Sequence, residues 1–219
     1  MSIETALRDE ICRVGRSLFE RGYVHASAGN ISVRLDDGFL ITPTDACLGT
    51  LDPARLARLD AHGVQTAGDR ASKTLALHRS IYAADAQARC AIHSHSTALV
   101  ALTLRGVWSV DDILPPLTPY FVMKVGHVPL IAYHRPGDPQ VAALVEQRIQ
   151  AMAGRGTPIR AVMLDRLGPQ VWHRTPAEAS ATLEELEETA RLWLACPLPP
   201  SALSEPQIDE LRRHFGAQW

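Results

Sequence analysis

The sequence contains no run of 18 apolar residues, so no segment reads as a membrane-spanning helix. Its opening, MSIETALRDEICRVGRSLFERGY, carries charges throughout and lacks the uninterrupted apolar core of a secretory leader. There is no excess of one charge either. The 22 Lys and Arg residues stand against 24 Asp and Glu, and a net charge of -2 gives no general attraction to nucleic acid or to an anionic membrane. The four cysteines, Cys12, Cys47, Cys90 and Cys196, are scattered and form no Cys-x-x-Cys pair, which argues against a zinc ribbon or a disulfide framework and suits reduced thiols. Internal repeats and low-complexity tracts are absent as well. These absences together predict a cytoplasmic protein with neither nucleic acid nor membrane as partner.

What is present is ordinary globular material in a length suited to one sizeable core, and residues 1–219 read as a single domain. Ile3, Leu7, Ile11, Val14 and Leu18 recur at helical spacing behind Ser2, a candidate N-cap. NISVRL and GFLIT, joined through Asp36, Asp37 and Gly38, predict a hairpin. A helix is expected over 72–84, a buried strand in ARCAIH, and a helix leaving it in STALVALTL. VPLIAY reads as a strand, Asp138 and Pro139 open a helix reaching about Gly154, and IRAVML and QVWHR are strands around the turn DRLGP. Thr175, Pro176 and Glu178 form a capping box before the long helix containing TLEELEETARLWL, and Ser204 with Gln207 repeats it before a last short helix. Strands mixed with helices outside strict βαβ order predict a largely antiparallel sheet covered by helices.

The residues that carry chemistry centre on CAIHSHST, residues 90 to 97. On a strand, positions i and i+2 share a face, so His93 and His95 present two imidazoles side by side, a geometry suited to a divalent metal. Taken alone, the pair is also consistent with two polar residues closing a strand.

Four stretches in order, ASAGNIS at 26–32, LITPTDA at 40–46, SKTLALHRSIY at 72–82 and AIHSHST at 91–97, resemble the class II aldolase/adducin family, over nearly the whole chain. The resemblance implies a three-layer α/β/α subunit with a central, largely antiparallel sheet. It also implies a homotetramer holding one divalent ion per subunit in a cleft at the subunit interface, with His93 and His95 as ligands. Position by position, Gly29 and Asn30 match the loop that holds the substrate phosphate, Thr44 matches a phosphate-binding threonine, and Ser72 belongs to the same anion pocket. Glycine lets backbone N–H groups approach an anion, and short hydroxyl and amide side chains donate to its oxygens.

Two departures from the family pattern matter. Its aldolases place a glutamate four residues before the helix histidine, here His78; this chain has Thr74, preceded by Lys73. They also supply a third histidine just before a glycine, and the matching stretch MLDRLGP has Leu167, leaving Asp165, His127 or His134 as candidate third ligands. Threonine cannot shuttle a proton near neutral pH. Loss of CO2 from a β-keto acid removes no hydroxyl proton, so both departures suit a decarboxylation through an enediolate. SKTLALHRSIY, LPPLTPYFVMKVGHVPLIAYHRPGDP and DRLGP further resemble a branch of the family that decarboxylates 3-oxo-tetronate 4-phosphates to dihydroxyacetone phosphate. In that reading Lys73 binds an anionic group of the substrate or, if burial depresses its pKa, reprotonates the enediolate. Tyr120, close to where related aldolases place a tyrosine of the neighbouring subunit, is a second candidate proton donor. The ion expected at such a site is zinc, with manganese as the alternative. A sugar-phosphate aldolase or epimerase and a non-catalytic, adducin-like interaction module are the competing readings.

Overall fold

The computed structural model of the protein describes residues 2–219. Ser2 caps the first helix, α1 (Ile3–Glu20), its hydroxyl accepting the Thr5 N–H at 3.1 Å, and the helix buries Ile11, Val14 and Leu18. The expected hairpin follows as β1 (Asn30–Leu35) and β2 (Gly38–Ile41), with Leu35 opposite Gly38. β3 (Ala57–Asp60) and β4 (Gln65–Ala67) continue it antiparallel. Neither strand is apparent in the sequence, because β3 alternates buried and half-exposed residues over four positions and β4 is fully exposed.

The chain then alternates helices and strands: α2 (Leu75–Ala84), β5 (Cys90–His93), α3 (Thr97–Arg105), α4 (Pro119–Lys124), β6 (Leu130–Ile131), α5 (Gln140–Gly154), β7 (Ala161–Leu164), β8 (Gly168–His173), α6 (Pro176–Ala195) and α7 (Glu205–Phe215). All eight strands join one sheet in the order β4-β3-β2-β1-β5-β8-β7-β6; only β6 and β7 pair parallel. This is the expected three-layer α/β/α arrangement around a largely antiparallel sheet.

Side-chain alternation along the central strands divides the core. Ile31, Val33, Ile92 and Val171 pack with Ile11 and Leu18 of α1, Leu99 of α3, and Leu183 and Leu186 of α6. On the other face Ala91, Val162, Leu164 and Trp172 pack with Leu77 and Ile81 of α2 and Val145 and Ile149 of α5. Both faces are therefore covered, and β5 is buried along its whole length.

Three local expectations are corrected. The helix expected from Ser72 starts at Leu75; Ser72–Thr74 form the turn before it, with the Ser72 N–H bonded to Thr42 O at 3.2 Å. The strand expected across 128–133 is reduced to Leu130–Ile131. At Thr175 the forward half of the capping box forms, Glu178 N–H to Thr175 Oγ1 at 3.1 Å, while the Glu178 carboxylate turns to Arg174 at 3.2 Å. Asp138 acts as expected, its carboxylate accepting the Gln140 N–H at 3.0 Å where α5 begins.

Candidate active site

Backbone pairing brings the four motifs to one end of the sheet. Asn30 at the start of β1 lies opposite His93 at the end of β5. The Ile31 N–H donates to Thr42 Oγ1 at 3.1 Å, the Thr44 N–H donates to Arg70 O at 2.9 Å, and Pro43 bridges to Ala71. Gly29 and Asn30 thus border the histidine segment directly, while Thr44 and Ser72 belong to two further segments tied to β1 through Thr42.

Two glycines clamp the histidine segment. Gly29 has φ +83°, and a Cβ there would lie 2.9 Å from His93 O and 2.7 Å from Val24 Cγ1. Gly168 has φ +137°, and its Cβ would overlap Ser94 O. Only glycine lets β1 and β8 approach the segment this closely in these conformations.

The His93 and His95 rings are 4.9 Å apart, centroid to centroid, at 68°, and His25 approaches His95 edge-on at 6.2 Å. His93 Nδ1 lies 3.0 Å from Pro169 O; a carbonyl only accepts, so Nδ1 carries the proton and Nε2 keeps its lone pair. Burial holds His93 neutral, at a pKa of about 3, assisted by His95. Burial also lowers the pKa of His95, assisted by His25. Two neutral imidazoles with an oriented lone pair fit part of a divalent-ion shell that leaves positions open for substrate. Among the described residues, no cluster of three or more His, Cys, Asp or Glu side chains could cage an ion.

Of the candidate third ligands, Asp165 and His134 line the same cavity as His93. His127 does not. It pairs with Asp112 at 2.8 Å and stacks on Trp219 at 4.5 Å, so its expected role as a candidate ligand is corrected to a packing one. Leu167 lines the cavity wall. Lys73 is exposed at the cavity rim, so the burial invoked for it as a proton donor is not provided within one chain. Tyr120 sits on α4, 60% exposed and outside that cavity, where only a neighbouring molecule could use it.

His78 is fully buried behind the pair. Tyr82 Oη donates to the Ser32 carbonyl at 3.0 Å, leaving its oxygen to accept from Ser32 Oγ at 2.6 Å, and Ser32 Oγ in turn accepts from His78 Nδ1 at 2.7 Å. That chain leaves His78 Nε2 as an unpaired lone pair. Burial, reinforced by His93, lowers the His78 pKa to about 3. Asn30 Oδ1 and both polar atoms of Gln170 are likewise buried without partners. Asn30, His93 and Gln170 are neighbours across three strands, so their side chains share one face.

Two residues escape sequence reading. Gln170 is a lone polar residue in a β-rich run, and its place beside His93 emerges only from the β5–β8 register. Glu187, in the middle of α6, is fully buried; its two carboxylate oxygens accept the Ala98 and Leu99 N–H groups at 3.0 and 3.1 Å and so cap α3 just after His95.

These features are those of an enzyme site built on a three-layer fold, and comparison with known proteins agrees. The Class II Aldolase and Adducin N-terminal domain profile matches residues 9–194, and the chain belongs to that family. Divalent-metal dependence is typical of the family. The chain is 56% identical, over 100% of both chains, to 3-oxo-tetronate 4-phosphate decarboxylase of Cupriavidus necator. It is 40% identical to the protein of that name from Escherichia coli K12, covering 96% of this chain and 97% of the relative. The crystal structure of YgbL from Escherichia coli superposes with a TM-score of 0.87 at 39% identity, covering 96% of this chain and 100% of YgbL.

Proposed function

We propose that the protein is a divalent-metal-dependent carboxy-lyase converting a 3-oxo-tetronate 4-phosphate to dihydroxyacetone phosphate and CO2. The full-length identity to decarboxylases carries this reading. Thr74 supports it: it is the residue just before α2, with its hydroxyl turned to Ser72 Oγ at 3.0 Å, where an aldol cleavage would need a carboxylate base.

His93 and His95 would hold one divalent ion per subunit, zinc with manganese as alternative, which would supply a Lewis acid at the substrate's ketone. The Gly29–Asn30 loop, Thr44 and Ser72 hold the 4-phosphate, and Lys73, beside that pocket at the rim of the His93 cavity, supplies a cation to the substrate's other anionic group. Decarboxylation breaks the C1–C2 bond, CO2 leaves, and the electron pair left at C2 delocalises into the adjoining ketone. A proton then adds at C2 to give dihydroxyacetone phosphate, and Tyr120 of a neighbouring subunit is its donor. That assignment goes with a homotetramer whose site lies at the subunit interface, and the exposure of Tyr120 on α4 supports it. We take residues 1–219 as one domain and the cytoplasm as its compartment; no helix among the described residues is long and apolar enough to cross a membrane.

The decisive experiment supplies purified protein with a 3-oxo-tetronate 4-phosphate and follows CO2 and dihydroxyacetone phosphate together. Equimolar products, lost with chelator and restored by Zn2+ or Mn2+, are expected. Cleavage of a ketose 1-phosphate to an aldehyde, with no CO2 from the acid, would replace the decarboxylase by an aldolase.

A further inference from the structure

The Gly29–Asn30 loop and the apolar-walled recess that His93 lines lie on opposite sides of that histidine. In the sheet, Gly29, Asn30 and Thr44 belong to the β1–β2 side of β5. The recess opens on the other side, toward β7 and β6, as a cavity of about 130 Å3 reaching from His93 to the 131–139 loop. Its walls include Leu77, Ile131, Leu164 and Leu167, and its polar groups include Lys73, at the start of the SKT turn, and His134. A substrate whose phosphate sits at Asn30 and whose ketone sits at His93 therefore points its far end into this cavity.

We propose that the cavity is the seat of the substrate carboxylate, with His134 as the residue that selects for it and Leu167 as part of the wall that strips it of water. The inference rests on the decarboxylase reading and adds the orientation of the substrate. His134 is half-buried, and its Nδ1 is 3.9 Å from Asp138, too far for a hydrogen bond, so its ring is available to a ligand. Arg135 and Asp138 face each other at 3.8 Å and largely cancel. Lys73 supplies the remaining positive charge. Asp165 supplies a negative one that opposes a resident carboxylate and is relieved when neutral CO2 departs. Carboxylate charge disperses as the C1–C2 bond breaks, so a water-poor apolar wall favours the departing state over the bound one. In these terms Leu167 is a functional residue of the site as it stands, and no ligand is missing from that position.

The test reads binding without turnover. Calorimetry on the metal-loaded protein compares tetronate 4-phosphate, which keeps the carboxylate but has no ketone to activate decarboxylation, with dihydroxyacetone phosphate, which has no carboxylate. His134→Gln and His134→Ala should each weaken the tetronate by about tenfold and leave dihydroxyacetone phosphate unchanged. Leu167→Asn should lower kcat for CO2 release by about tenfold with dihydroxyacetone phosphate affinity unaltered. Equal weakening of both ligands, or of neither, overturns the assignment of His134, and an unchanged kcat in Leu167→Asn overturns the role of the wall. Absence of CO2 from the unmodified protein defeats the decarboxylase reading instead, and the binding comparison still decides where a carboxylate goes.

Discussion

Two rows of residues cross β1, β5 and β8 one position apart. Ile31, Ile92 and Val171 form the first, all fully buried and packed against α1, α3 and α6. Asn30, His93 and Gln170 form the second, equally enclosed by the fold yet holding three buried polar atoms without partners. The strands, backbone and degree of burial are shared; only the facing direction differs. A folded chain ordinarily satisfies its buried polar groups, and leaving them bare costs about 1–3 kcal/mol each. The first row is what stability alone selects, and the second keeps groups that make sense only with something bound beside them.

The comparison can be broken most sharply at His93. His93→Ala should lower CO2 formation by about a thousandfold and abolish stoichiometric binding of the divalent ion, while the circular dichroism spectrum stays that of the folded protein. One residue away, Ile92→Ala should do the opposite: it costs about 3 kcal/mol in urea unfolding through a cavity in the α1/α3/α6 layer, and the kcat of the molecules that remain folded changes little.

Acid sharpens the contrast further, since the apolar row carries nothing to titrate. His78 has a pKa of about 3 in the fold against an ordinary value of 6.5, so between these the unfolded chain binds a proton that the native one refuses. Stability contributed by neutral His78 is complete above pH 6.5 and is lost as the pH falls. From pH 7 to pH 5 the metal-free protein should lose about 2 kcal/mol from this group alone, and His78→Gln should flatten the urea-midpoint profile by that share. The smallest effect is expected at Gln170. Replacing its unpaired amide by an apolar side chain, Gln170→Leu, should raise the stability of the metal-free protein by about 1 kcal/mol with an unchanged denaturant slope.

How far this was legible from the amino acids follows the range of the interactions involved. The layers, the β1–β2 hairpin and the helices with strong caps at Ser2, Asp138 and Ser204 are written locally, in periodicity and side-chain-to-backbone bonds. His93 and His95 were legible because a spacing of two on a strand fixes a shared face. Short β3 and β4 were not, since strands of four and three residues with exposed positions have no apolar signature. Gln170 depends on register, and the dismissal of His127 depends on Asp112 and Trp219 meeting it in space. The motif left open whether Lys73 meets the substrate as an exposed cation or is buried as a proton donor, and the turn that starts α2 leaves it at the rim.

The cap that Glu187 places on α3 spans 89 residues of sequence. A chain growing from its N-terminus has His93, His95 and all of α3 in solution well before Glu187 has been synthesised, and until α6 docks the first turn of that helix has two N–H groups without a partner. Order at the histidine pair therefore draws on a contact that is closed only when α6 is in place. On refolding, activity should return with the docking of α6 and so later than the far-ultraviolet signal of secondary structure, which stopped-flow circular dichroism and an activity assay on the same sample would compare.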